Sequence, residues 1–172
     1  MENKWRTMVN MPEELIFKTL DNLNIQYELI THPPVMTVSE AKAYGSFNAG
    51  GCKNLFFHDS KTNKYYLVVM LEDKKAHSNT IRKQVKASRL IFGGEESLEK
   101  LLGVKPGSVS PFGIVYDRNK EVIVLIDEDL PKCSKVCFHP NINTKTLVID
   151  YSDFEKFIKW SGNEYRFICV TN

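Results

Sequence analysis

Lys53 stands behind Gly50-Gly51 and Cys52, at the head of an apolar stretch. A lysine there could clamp a phosphate or polar substrate, with the glycines letting a ligand reach the backbone. It could equally be a strand-edge charge that discourages edge pairing. The run Gly107-Ser108-Val109-Ser110-Pro111 is a second place for chemistry. Successive backbone N–H groups in such a loop can hold an anion or polarise a carbonyl, or the loop can simply connect two elements. His139-Pro140-Asn141-Ile142-Asn143-Thr144 sets donors and acceptors in a turn, either for a ligand or for their own backbone. His32-Pro33-Pro34 is a similar strand end.

The cysteines carry less. Cys133-x-x-x-Cys137-x-His139 brings three metal-ligand types together, but not as paired ligand knuckles, and no second cluster completes a tetrahedral set. Cys52 beside Lys53 could be an activated thiolate, yet no Asn or Asp partner identifies it. No Gly-x-Ser-x-Gly, P-loop or dinucleotide fingerprint is present. Between 72 and 89, Lys74, Lys75, Arg82, Lys83, Lys86 and Arg89 face only Glu72 and Asp73, a local excess of four against +2 for the whole chain. This segment is either a solvated helix face or a patch that tracks a nucleic-acid backbone.

The elements that must position these residues fit one domain spanning 1–172, with 1–10 as a loosely ordered tail. Hydrophobic residues make up 42%, with ten Phe and seven Tyr, enough to build a core and to exclude bulk disorder. A net charge of +2 excludes a bulk polycation. The start, MENKWRTMVNMPEE, has no apolar signal region, and the runs over 67–71 and 122–126 are far short of the roughly 20 residues of a spanning helix. The four scattered cysteines point to a reducing cytoplasm rather than a disulfide scaffold.

Apolar periodicity predicts helices over 12–23, 79–86, 95–102 and 152–160, with a short one after Thr37 that Gly45 closes. Thr37-x-x-Glu40 and Ser152-x-x-Glu155 read as capping boxes, and Gly103 and Gly162 as helix stops. Strands are expected over 25–31, 53–58, 65–71, 89–92, 112–116, 121–127, 135–139, 145–149 and 165–170. The pairs 53–58 with 65–71, and 112–116 with 121–127, read as hairpins. The almost unbroken apolar run over 65–71 suggests a strand covered on both faces. Without βαβ alternation, the class is α+β: a twisted, mixed, largely antiparallel sheet with helices around it.

Together these segments resemble the freestanding prolyl-tRNA editing deacylases of the YbaK/ProX type, whose fold also forms the editing insertion of bacterial prolyl-tRNA synthetases. The resemblance rests on His32-Pro33-Pro34-Val35-Met36-Thr37-Val38, Cys52-Lys53-Asn54-Leu55-Phe56-Phe57 and Leu71-Glu72-Asp73, then Gly103-Val104-Lys105-Pro106-Gly107-Ser108-Val109-Ser110-Pro111-Phe112, and Phe138-His139-Pro140 with Asn143-Thr144. These run in order over about 12–168, and the pattern is most like the alanyl-tRNA(Pro) deacylase branch.

The resemblance implies hydrolysis of the ester joining a wrong amino acid to the terminal adenosine of tRNA(Pro). It implies Lys53 as clamp on that nucleotide, Gly107 and its loop as holders of the aminoacyl carbonyl and water, and His139 lining the site. Val35, Met36, Asn54, Ser108, Val109, Ser110, Pro111, Pro140 and Asn143 would form the substrate pocket. Lys74, Lys75, Arg82, Lys83 and Lys86 would meet the tRNA. Neither cofactor, metal nor protein nucleophile is implied. The tRNA(Pro) acceptor end is the expected partner, prolyl-tRNA synthetase a further one, and no membrane is involved. The open alternatives are Cys-, Ser- or Thr-charged tRNA as substrate, or a non-catalytic paralogue that binds aminoacyl-tRNA or a synthetase.

Overall fold

The computed structural model describes residues 12–35, 38–44 and 49–172. The tail over 1–10, Met36, the capping Thr37 and Gly45 lie outside the described residues.

Eight strands make one mixed sheet. They are β1 (Glu28–Thr31), β2 (Gly50–Asp59), β3 (Lys64–Leu71), β4 (Leu90–Phe92), β5 (Val122–Asp127), β6 (Lys135–Phe138), β7 (Lys145–Asp150) and β8 (Tyr165–Ile168). Their spatial order is β1-β7-β6-β2-β3-β5-β8, with β4 also on β2. β1/β7, β6/β7, β2/β3 and β2/β4 are antiparallel; β2/β6, β3/β5 and β5/β8 are parallel. The helices are α1 (Glu14–Asn22), α2 (Val38–Ala41), α3 (Ser78–Gln84), α4 (Glu95–Leu102) and α5 (Tyr151–Ser161). Among the described residues no helix is long and apolar enough to cross a membrane.

Strand alternation splits the core between two faces of the sheet. On one, Cys52, Phe56, Leu67, Val69, Val124 and Phe138 pack with Leu20 of α1, Leu102 of α4 and Phe154 and Phe157 of α5. On the other, Phe57, Tyr66, Val68, Met70 and Leu125 pack with Ile81 of α3 and with Val85. We refer to these as the α5 face and the α3 face. β3 lies between β2 and β5 and is buried from Tyr66 to Met70, which accounts for its lack of polar alternation.

Asp59 holds the far end of β2. Its carboxylate accepts from Lys61 N, the Thr62 hydroxyl, Ser88 N and Arg89 N, tying the β2–β3 turn to the lead-in of β4. Burial alone would raise its pKa, but these hydrogen bonds outweigh that and hold it well below the usual carboxylate range.

Four sequence expectations are corrected. Residues 112–116 form no strand; Pro111–Tyr116 is a 3₁₀ helix. Ser110 caps it by accepting from Phe112 N (3.2 Å), Pro111 supplies a fixed φ, and Gly113 passes so close to Leu102 O that an added Cβ would lie 2.8 Å from it. The second hairpin is therefore absent. Asp117 accepts from Glu121 N and Val122 N, and β5 is delivered between β3 and β8, parallel to both. α5 begins at Tyr151 with Asp150 as N-cap, so Ser152 already lies inside the helix and caps nothing. The first strand also starts later, at Glu28: Asn24 turns at φ 55° and Ile25 N returns to Leu20 O, so residue 25 closes α1. Gly103 (φ 60°) and Gly162 (φ 74°) do end α4 and α5 in the left-handed conformation.

Candidate active site

β2 and β6 run parallel for one step and then part. Gly50 pairs with Val136 and Gly51 with Cys137. Lys53 and His139 each stand two residues beyond that last pair, Lys53 within β2 and His139 one residue past the end of β6. Phe57 and Met70, which share Lys53's side of β2 and β3, belong to the α3 face; Val136 and Phe138, the neighbours of Cys137 and His139 in the alternation, belong to the α5 face. The parting strands thus form a fork with Lys53 on one prong and His139 on the other. β4 pairs with β2 only from Phe57 to Asp59, so residues 52–55 keep one edge without a strand partner among the described residues.

The loop after α4 bridges the fork. At one end, Asn54 Nδ2 donates to Val109 O (3.2 Å). At the other, Asn141, two residues past His139, donates from Nδ2 to Leu102 O (2.8 Å), the carbonyl at the root of the loop. Gly107 turns the loop at φ 90°, a backbone that residues with a Cβ rarely adopt. Ser110 and Pro111 are buried and Ser108 and Val109 half-buried. Behind the loop is a cavity of about 550 Å³ bounded by Gly103, Val104, Lys105, Ser108, Tyr116 and Asn141 among others. Val109, Ser110 and Pro111 seat the far end of the loop against the core, and the two hydrogen bonds fasten it to both prongs.

His139 is buried, and its Nδ1–H donates to Lys145 O (2.8 Å). Its Nε2 has no partner among the described residues. Burial lowers the His139 pKa, the nearby His32 adds to this, and the Lys145 carbonyl opposes it. The ring thus presents an acceptor lone pair at Nε2. His32 lies edge-on to it at 5.9 Å between centroids, fixed by Nδ1–H to Pro33 O and by the Thr146 hydroxyl at Nε2 (both 2.8 Å), with Tyr44 stacked over it. His32 N and Val35 N donate to Thr144 O and Asn143 O, which carries buried Val35 to the turn that holds Pro140 and Asn143.

The Lys53 ammonium donates to Lys74 O, in the turn after β3. Asn54 Oδ1 is buried without a partner among the described residues. The structure thus joins Asn54 to the 107–111 loop and Val35 to the turn that follows His139, while Lys53 stands on β2 with its ammonium on Lys74 O; Met36 is outside the described residues. Burial pushes the Cys52 thiol well up, and Cys137 and Cys133 beside it push further, so Cys52 is a protonated thiol rather than an activated thiolate. Among the described residues no three His, Cys, Asp or Glu side chains gather to hold a metal ion.

The basic segment divides. Lys75, Lys83 and Lys86 are exposed, and Arg82 is half-buried with Nη1 on Ala87 O at the end of α3. Lys74 is different: its ammonium is held between Asp127 (2.7 Å) and Asp129 (2.6 Å). Its charge is neutralised inside the fold, and its lysine neighbours carry the exposed charge. Sequence reasoning overlooked Asn141 as a brace and Thr146 as the anchor of His32. Asn141 had one visible sign, an Asn directly after His-Pro; Thr146 had none, because its partner is 114 residues away.

The mixed sheet with helices on both faces is an editing-domain-like fold. A solved structure described as a candidate trans-editing enzyme for prolyl tRNA synthetase shares this fold, with a TM-score of 0.68 at 16% identity over 94% of this chain and 98% of that one. The model of the aminoacyl-tRNA editing domain family matches residues 32–157, and the chain belongs to that family. It is 38% identical over 157 residues to the prolyl-tRNA editing protein ProX of Acetoanaerobium sticklandii, covering 91% of this chain and 96% of that protein. It is 32% identical over 149 residues to the prolyl-tRNA synthetase associated domain-containing protein 1 of Mus musculus, covering 84% and 88%.

Proposed function

We propose that this protein is a trans-editing deacylase: it hydrolyses the ester between a wrong amino acid, alanine foremost, and the terminal adenosine of tRNA(Pro). The observation that carries this reading is the fork, with Lys53 and His139 at matched positions and the Gly107 loop fastened to both prongs. Membership of the editing family and the likeness to ProX support it.

An aminoacyl ester is already reactive, so holding it against water and polarising its carbonyl are sufficient tasks for the protein. Lys53 clamps the terminal nucleotide. N–H groups of the 107–110 backbone face the carbonyl, and His139 Nε2 accepts a hydrogen bond from the attacking water or the terminal ribose hydroxyl. No cysteine serves as nucleophile, in keeping with the raised Cys52 thiol. Val35, Met36, Asn54, Pro140 and Asn143 wall the pocket, and a close wall admits alanine while excluding proline. A synthetase pocket built for proline discriminates against the smaller alanine by only about 1–3 kcal/mol for each missing methylene, which is why a second sieve is useful. Lys75, Arg82, Lys83 and Lys86 face the acceptor end, and prolyl-tRNA synthetase is the protein that would hand the tRNA over.

The test is release of labelled amino acid from Ala-, Cys-, Ser- and Pro-tRNA(Pro), with Lys53→Ala alongside. Fast release of alanine, reduced at least about 100-fold in the variant, is the expected result. Release of cysteine or serine instead would move the pocket assignment and keep the reaction. Unchanged rates in Lys53→Ala would remove the clamp, and binding without release from any substrate would leave a tRNA-binding module.

A further inference from the structure

Phe92 is 69% exposed, more than any other large hydrophobic residue described. It is not a loose side chain. One face of its ring lies on Phe57, with centroids 5.0 Å apart and planes 21° from parallel, and Phe57 is buried in the core under α3. Its backbone is pinned by the β2–β4 ladder, by Gly93 N on Phe56 O (2.9 Å), and by Asp59 holding Ser88 N and Arg89 N. A ring with one side stacked and rigid and the other side open is the geometry of a base-stacking platform.

Its place matches its shape. Phe92 sits opposite Phe57, on the α3 face, which is also the side of β2 that carries Lys53. Phe57 is four residues along β2 from Lys53, about 13 Å at the rise of a strand. That is about two to four nucleotide steps, from an extended strand to one at the stacked spacing of about 3.4 Å. Lys83, Lys86 and Arg89 are exposed just before β4, and Lys61 and Lys64 are exposed in and beside the β2–β3 turn next to it. The nearest exposed carboxylates in sequence, Glu95 and Glu96, open α4, which packs on the opposite face.

We infer that Phe92 is a stacking platform for an unpaired base of single-stranded RNA whose 3′ end lies at Lys53, with Lys83, Lys86 and Arg89 following the phosphates. The inference rests on the proposed function for the identity of that strand, the acceptor end of a tRNA, and adds where its upstream bases go.

The experiment uses the full chain and a short single-stranded RNA ending in CCA, followed by fluorescence anisotropy, together with steady-state deacylation of Ala-tRNA(Pro). Phe92→Ala is expected to weaken RNA binding about 5- to 150-fold and to raise KM while kcat holds. Phe92→Leu, which keeps an apolar contact with Phe57 but has no ring face, should lose binding as well. Phe92→Trp should restore binding and show quenching of the indole when RNA is added. Unchanged RNA affinity in both Phe92→Ala and Phe92→Leu would overturn the inference even where wild-type protein deacylates normally. So would a dimer in sedimentation that Phe92→Ala dissolves, which would make the patch an interface between copies. RNA binding that depends on Phe92 without any deacylation would support the platform and sink the deacylase reading instead.

Discussion

At His139 the backbone decides which nitrogen is available. A carbonyl can only accept, so the Lys145 carbonyl fixes the proton on Nδ1 and leaves Nε2 with a lone pair that no described residue engages. Burial holds the ring's pKa below the ordinary 6.5. Above that depressed value Nε2 is an acceptor; below it the ring is protonated and Nε2 becomes a donor, the wrong polarity for receiving a proton from water. The acid limb of kcat/KM should therefore have its midpoint below pH 6.5. His139→Gln should lower kcat about 100-fold and flatten that limb. A limb centred above pH 6.5, or one that survives in His139→Gln, would belong to another group. The same sign applies to stability: the neutral ring's contribution is complete above the unfolded pKa and is lost as pH falls through the folded one. The place of His139 at a strand end was legible in the chain, because a His-Pro turn is a local pattern. Its tautomer was not, since it depends on the carbonyl of a residue that only the β6–β7 pairing brings into place.

The loop after α4 shows how an element borrows its shape from its neighbours. α4 itself was readable to the residue, because its apolar stripe and its terminal Gly103 are local signals. The 3₁₀ helix Pro111–Tyr116 was not. Its apolar run imitates a buried strand, and what selects the tighter turn is the Ser110 cap together with contact across to Leu102. Leu102 O is the shared point: Asn141 Nδ2 donates to it at 2.8 Å, and a Cβ on Gly113 would press on it from 2.8 Å. Asn141→Ala leaves that buried carbonyl without its donor, at a cost of about 1–3 kcal/mol. It also places Ala at φ 60°, a backbone Asn tolerates better. Gly113→Ala displaces the same carbonyl. The two changes should be strongly coupled in chemical denaturation, with the double variant less destabilised than the sum of the singles. Additive effects would show that the loop root does not move as one unit. Both singles should lower kcat for deacylation more than they raise KM, because a loosened loop misplaces the carbonyl.

Over the whole molecule, a net charge of +2 hides a division of labour. Lys53, α3 and Phe92 share one face of the sheet, while α1, α4 and α5 cover the other. Within the basic segment, sequence could not separate Lys74 from its neighbours, because Asp127 and Asp129 reach it from 53 and 55 residues away. Structure makes the separation testable through salt. A cation that meets a phosphate contributes roughly 0.7 to 0.9 to the slope of log affinity against log salt, and an internally paired one contributes nothing. Lys83→Ala and Lys86→Ala should each reduce the slope for tRNA binding by about 1 and leave the unfolding midpoint near wild type. Lys74→Ala should do the reverse: the slope holds, while stability falls because fully buried Asp127 loses its counter-charge. A drop in slope for Lys74→Ala equal to that for Lys83→Ala would mean that tRNA pulls Lys74 out of its acidic pair. The turn after β3, on whose Lys74 carbonyl the Lys53 ammonium rests, would then have to rearrange whenever substrate binds.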